Sequence, residues 1–168
     1  MPLSRRLFLA ASLGGASGLL TACASPGGGT VHLAPGSRLI VVRHGDRTDE
    51  NLNDLGKARA AALPAALEGM PLDAILSPGI QRNLDTAAPL AAARGLPITR
   101  MPQERPARRI AAAHAGKSVI WVGNKGNIQS IWDDLGLPGA PPLGYGDLFI
   151  VTADADGTLR VERRRWEP

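Results

Sequence analysis

One histidine set between two arginines carries the most chemical information in this chain. Val41-Val42-Arg43-His44-Gly45-Asp46-Arg47-Thr48 places that imidazole directly after an apolar run. A neutral imidazole is nucleophilic near neutral pH and can attack phosphorus. The attack needs cations around the transferring phosphoryl group, and arginine offers a planar fork for two oxygens at once. Gly45 lets the backbone pass close to a bound anion. A second stretch, Leu76-Ser77-Pro78-Gly79-Ile80-Gln81-Arg82-Asn83-Leu84-Asp85-Thr86-Ala87, brings Arg82 in shortly after another apolar run. A third, Ile120-Trp121-Val122-Gly123-Asn124-Lys125-Gly126-Asn127, ends a further apolar run on Asn124. The Asn124 amide can donate a hydrogen bond to a phosphoryl oxygen, but it carries no charge.

The fold must bring these three stretches together. Arg38–Arg43 is rich in β-branched residues and predicts a strand buried on both faces. Leu52–Glu68 predicts a helix that Pro64 kinks or interrupts. Asp73–Ser77 predicts a short strand closed by Pro78, and Ile80–Arg94 a helix capped by Gly95. A strand over Pro97–Met101, a helix over Glu104–His114, a strand over Lys117–Val122 and a helix over Asn127–Leu135 follow. Asp147–Thr152 and Thr158–Arg165 predict strands joined by the turn Asp154-Ala155-Asp156-Gly157. This alternation implies an α/β fold of three layers, αβα. Its sheet is mainly parallel with helices on both faces, and it ends in a C-terminal β-hairpin. Sites in such sheets lie at the carboxyl ends of strands, where Arg43-His44-Gly45, Ser77-Pro78 and Gly123-Asn124 fall.

The Arg43-His44-Gly45 triplet, Leu52-x-x-x-Gly56-x-x-x-Ala60 and Ser77-Pro78-x-x-Arg82-x-x-x-Thr86-Ala87 occur in that order. Together they resemble the histidine phosphatase superfamily, the phosphoglycerate mutase-like fold, over about Arg38 to Val151. The resemblance implies that His44 is the nucleophile and forms a phosphohistidine, with Arg43 and Arg82 holding the phosphate. Arg47 matches a further arginine of the form seen in acid phosphatases and is expected to contact phosphate too. No cofactor and no metal are implied. The chain departs from the family at one place: Asn124 stands where the family carries a second histidine. It is expected to bind phosphate as a neutral donor, beside a loop that opens a helix and so favours anions. Loss of one preorganised donor costs about 10²–10³ in rate. Family members often use a glutamate as proton donor, and Glu104 is the only one between the two later motifs. Asp46, Asp49 and Glu50, which follow the nucleophile, are alternatives.

The N-terminus reads as an address. Ser4-Arg5-Arg6-Leu7-Phe8-Leu9 resembles a twin-arginine export motif, and the apolar stretch from Leu7 to Leu20 is short for a membrane span. Leu20-Thr21-Ala22-Cys23 resembles a bacterial lipobox, and Cys23 is the sole cysteine of the chain. Residues 1–22 are therefore expected to be a signal peptide and Cys23 a lipidation site, anchoring the protein to a membrane. Ala24 after that cysteine favours the outer membrane, facing the periplasm. Residues 24–37, with Gly27-Gly28-Gly29, read as a flexible tether, and residues 38–168 as the phosphatase-like domain.

Composition bounds the function. The chain has 168 residues, 19 Lys+Arg against 15 Asp+Glu, and only six aromatics. Without Arg5 and Arg6 the balance is 17 against 15, which argues against nucleic acid as a partner. The expected function is a cell-envelope phosphomonoesterase acting on a phosphorylated small molecule or glycan. The alternative is a non-catalytic lipoprotein that binds a phosphorylated ligand.

Overall fold

The computed structural model describes residues 30–168. Arg5-Arg6, the apolar segment, Cys23 and the glycine triplet lie outside the described residues. The chain runs β1 (Arg38–Arg43), α1 (Asp54–Ala66), β2 (Ala74–Ser77), α2 (Gln81–Arg94), β3 (Ile98–Arg100) and α3 (Pro106–Ala113). It continues through β4 (Ser118–Gly123), α4 (Lys125–Leu135), β5 (Asp147–Ala153) and β6 (Leu159–Arg165). One sheet of six strands has the order β3-β2-β4-β1-β5-β6. β1 to β4 are parallel; β5 pairs antiparallel with β1, and β6 antiparallel with β5. The expected three-layer fold with its terminal hairpin is what forms.

The apolar runs explain the layers. In β1, Leu39 and Val41 face one core with residues of α3 and α4, while Ile40 and Val42 face a second core with residues of α1 and α2. β4 repeats the pattern with Val119 and Trp121 on one side and Ile120 and Val122 on the other. Side chains alternate along a strand, so a strand covered on both faces must be apolar throughout. Pro64 sits in the last turn of α1, which closes two residues later, so it ends that helix rather than kinking it. α3 begins at Pro106, whose fixed φ suits a first helical position.

Residues 30–37 depart from the expected tether. Val31 and Leu33 are buried in the α3–α4 core. The Val31 N–H donates to the Asp134 carbonyl (2.7 Å) and Gly36 N–H to the Ala153 carbonyl (2.9 Å). Glycine and proline content suggested a linker, but two apolar residues spaced by two point to the same side of an extended chain. At one edge of the sheet, β6 carries the four arginines of the tail. Arg160 pairs with Asp154, Arg164 with Glu162 and Arg165 with Asp147, and Arg163 donates to the Pro138 carbonyl. A charged edge strand resists pairing with other chains. Among the described residues, no helix is long and apolar enough to cross a membrane.

Candidate active site

The site forms where β1, β2 and β4 end. The register pairs Arg43 with Gly123, and the His44 N–H donates to the Gly123 carbonyl (2.8 Å). Ser77, at the end of β2, donates through Oγ to the Val122 carbonyl (3.1 Å), and Asn83 Nδ2 donates to the same oxygen (3.2 Å). These bonds seat the first turn of α2, with Arg82, at the end of β4, and Arg82 itself reaches His44 just beyond β1.

His44 is buried, and two contacts define its tautomer. Nδ1 lies 2.8 Å from the Gly45 carbonyl oxygen, which can only accept. Arg82 Nε, which can only donate, lies 3.3 Å from Nε2. The proton therefore sits on Nδ1, and Nε2 presents its lone pair toward the Arg82 guanidinium. Arg43 stands on the other side with its Nε buried and without a hydrogen-bond partner. Its two terminal nitrogens are already engaged: Nη1 donates to the Leu143 carbonyl (3.0 Å) and Nη2 to the Tyr145 hydroxyl (3.1 Å). The two-pronged grip expected of Arg43 is thus spent on the α4–β5 loop. Arg47 is turned toward the β1–α1 loop, where it bonds the Asp49 carbonyl and lies 3.9 Å from Glu50.

Burial is the main cause that pushes His44 down from 6.5 to about 4; Arg43, Arg82 and Arg47 push the same way, and the bond to Gly45 opposes them. The imidazole is therefore neutral, and its Nε2 available, from mildly acidic pH upward. We expect the His44 ring resonances of the ligand-free protein to titrate near pH 4, whereas an unperturbed histidine titrates near ~6.5. Arg82→Gln should move that midpoint toward neutral, because it removes a cation that disfavours imidazolium. A parent midpoint near neutral pH would contradict this account of the site.

The loop that carries His44 is held from beneath by glycines. A Cβ at Gly45 would lie 2.7 Å from the Gly56 carbonyl oxygen, and one at Gly56 would lie 2.0 Å from the Asp46 carbonyl oxygen. The Gly45 N–H donates to Thr86 Oγ1 (2.9 Å), which itself donates to the Arg82 carbonyl (2.7 Å). Asn53 accepts from the Gly56 N–H as the cap of α1. The glycine and threonine of the sequence motifs therefore lock α1 and α2 against the loop that carries His44.

Among the candidate acids, Asp46 is committed elsewhere. It is buried and paired with Arg59 (2.6 Å), which also donates to the Trp166 carbonyl (2.8 Å) and to Glu167 (2.9 Å). This ties the loop to the C-terminus and points Asp46 to structure rather than proton transfer. Asp49 is exposed and accepts from the Asn51 N–H. Glu50 reaches Arg82 Nη1 (2.9 Å), which joins it to the His44–Arg82 pair. Glu104 lies exposed in the β3–α3 loop, lining a cavity of about 370 Å³ with Arg105, Asn124 and Ser130. No hydrogen bond links it to His44, Arg43 or Arg82.

Asn124 is the cap of α4, which starts two residues earlier than its composition suggested. Its Oδ1 accepts from the Gly126 and Asn127 N–H groups, and Asn127 Oδ1 returns a bond from the Asn124 N–H (3.0 Å). Those helix N-terminal donors, expected to favour an anion, are therefore taken up by the side chain itself. The Asn124 amide nitrogen is left to meet a ligand. An asparagine followed three residues later by another hydrogen-bonding side chain is a capping signal readable from sequence. Tyr145 is the residue that sequence reasoning missed. Its ring centroid lies 5.9 Å from that of His44, and the Arg43 guanidinium sits 3.9 Å over its centre.

Residues 39–105 match the model of the histidine phosphatase superfamily (branch 1). The fold is that of solved histidine phosphatases. A mycobacterial glucosyl-3-phosphoglycerate phosphatase in complex with inorganic phosphate is 17% identical, with a TM-score of 0.59 over 78% of this chain and 97% of its own. The protein histidine phosphatase SixA complexed with tungstate is 18% identical, with a TM-score of 0.63 over 76% of this chain and 96% of its own. Bacillus stearothermophilus YhfR is 19% identical, with a TM-score of 0.59 over 74% and 95%. No curated protein matches the chain in sequence.

Proposed function

We propose that this chain is a phosphomonoesterase of the histidine phosphatase type, located in the bacterial cell envelope. The observation that carries the proposal is the state of His44: a buried imidazole with Nδ1 tied to the Gly45 carbonyl and Nε2 turned toward Arg82. In the proposed reaction, His44 Nε2 attacks phosphorus. The P–N bond forms as the ester P–O bond breaks, and water then cleaves the phosphohistidine to release phosphate. Arg82, Arg47 and the Arg43 Nε hold the phosphoryl oxygens, with the Asn124 amide as a further neutral donor. The substrate is a phosphorylated small molecule or glycan, in keeping with the glucosyl-3-phosphoglycerate named for one structural neighbour. The envelope location rests on Arg5-Arg6 and on Leu20-Thr21-Ala22-Cys23. Partition of the protein into a detergent phase, lost in Cys23→Ser, supports it, and partition unaffected by that change removes the anchor.

One observation favours a second reading, a phospho-ligand-binding protein without turnover. Asn124, which the family resemblance sets where a second histidine stands, carries no charge and spends its carbonyl on the α4 cap. Hydrolysis of 4-nitrophenyl phosphate by the purified protein, compared with Asn124→His, decides between the two. Turnover by the parent supports the phosphatase. Silence in the parent with activity gained in Asn124→His supports the binding protein on an intact catalytic scaffold.

A further inference from the structure

We propose that Tyr145 donates the proton to the leaving oxygen, an inference that rests on the phosphatase reading. The carboxyl groups around the nucleophile are poorly placed for this task. Asp46 is held by Arg59, Glu50 accepts from Arg82, and Glu104 has no bond to the cluster. The Tyr145 phenol, in contrast, stands against both His44 and Arg43. Arg43 can only donate, so at their 3.1 Å contact the phenolic oxygen is the acceptor and its own O–H remains to be given elsewhere. The Arg43 guanidinium over the ring also places a positive charge where phenolate would form.

The loop holds this phenol in place from both sides. Arg43 Nη1 is bonded to the Leu143 carbonyl, and the Gly144 N–H donates to Asp147 (2.7 Å). Arg165 Nη2 donates to the Tyr145 carbonyl (3.1 Å). The α4–β5 loop thus sets Tyr145 on Arg43, the last residue of β1, at the end of the sheet where His44 lies.

The step balances as follows. As the His44 Nε2–P bond forms and the P–O bond breaks, the departing oxygen takes the Tyr145 proton and leaves as the alcohol. The phenolate, held by Arg43, then receives a proton from the water that attacks the phosphohistidine. Phosphate is released, and both the phenol and the neutral imidazole are restored.

The test compares parent and Tyr145→Phe on esters with graded leaving groups, from 4-nitrophenyl phosphate through phenyl phosphate to a simple alkyl phosphate. Nitrophenolate leaves without help; an alkoxide does not. Tyr145→Phe is expected to lose less than about threefold on the nitrophenyl ester and about 100-fold on the alkyl ester, the scale of general acid catalysis. Phenylalanine keeps the ring beneath Arg43, and the nitrophenyl rate reports that the site is intact. An equal loss on all esters, or no loss on any, overturns the role of Tyr145. A parent inactive on every ester overturns the phosphatase reading instead, and this inference with it.

Discussion

Replacing His44 with alanine should reduce hydrolysis of an aryl phosphate by about 10⁴-fold or more. The size follows from what the residue is proposed to supply. Without Nε2 no phosphohistidine forms, and the second half of the reaction has nothing to act on. The arginines remain, so inorganic phosphate should still bind, with an inhibition or dissociation constant changed by less than about tenfold. Two measurements separate the outcomes: turnover of the ester, and phosphate binding by calorimetry. Loss of turnover with binding kept supports the nucleophile. Turnover that persists in His44→Ala removes His44 from the chemistry, and equal loss of binding makes it a ligand for phosphate only.

Gly56→Ala should be the most damaging small substitution outside the reacting residues. The added methyl would sit 2.0 Å from the Asp46 carbonyl oxygen and 2.8 Å from its nitrogen, and both are backbone atoms. No side chain can swing aside to relieve such a clash, so the loop carrying His44 must shift relative to α1. Overpacking of this kind costs about 3 kcal/mol at the upper end of its usual range. The expected fall in melting temperature is roughly 10 °C. The functional loss should be larger than stability alone explains, because a displacement of ~1 Å at a reacting group costs about 10²-fold. Ala58→Ser, at an exposed position on the same helix, should change stability by less than about 0.5 kcal/mol. A Gly56→Ala protein that melts and turns over like the parent would show that the loop is free to move, and would undo this account.

The clash also explains why the Leu52-x-x-x-Gly56-x-x-x-Ala60 pattern was legible at a distance. Position 56 is small because a backbone passes against it, and Thr86 is polar because the Gly45 N–H needs an acceptor. Requirements of this kind leave a residue type at a fixed spacing, and a sequence displays both. The buried strands were legible for a related reason. A strand covered on two faces admits few polar residues, so β1 and β4 announce themselves as continuous apolar runs. Residues 30–37 have the composition of a linker, and only the placement of Val31 and Leu33 in the α3–α4 core shows their role.

Local pattern determined the elements of this protein, the strand ends after which His44 and Asn124 fall and the helix start that carries Arg82, and hence the chemistry the site can attempt. It could not determine that β4 would insert between β1 and β2, because strand order is settled by how twisted, covered strands pack and not by any one run of residues. Nor could it place Tyr145 on Arg43 and beside His44, or close Asp46 and Arg59 onto Trp166 at the other end of the chain. Those contacts join positions about a hundred residues apart, and no spacing rule relates them. The candidate nucleophile is written in three adjacent residues; its tautomer, its depressed pKa and its neighbouring phenol are decided only when the tertiary structure buries it.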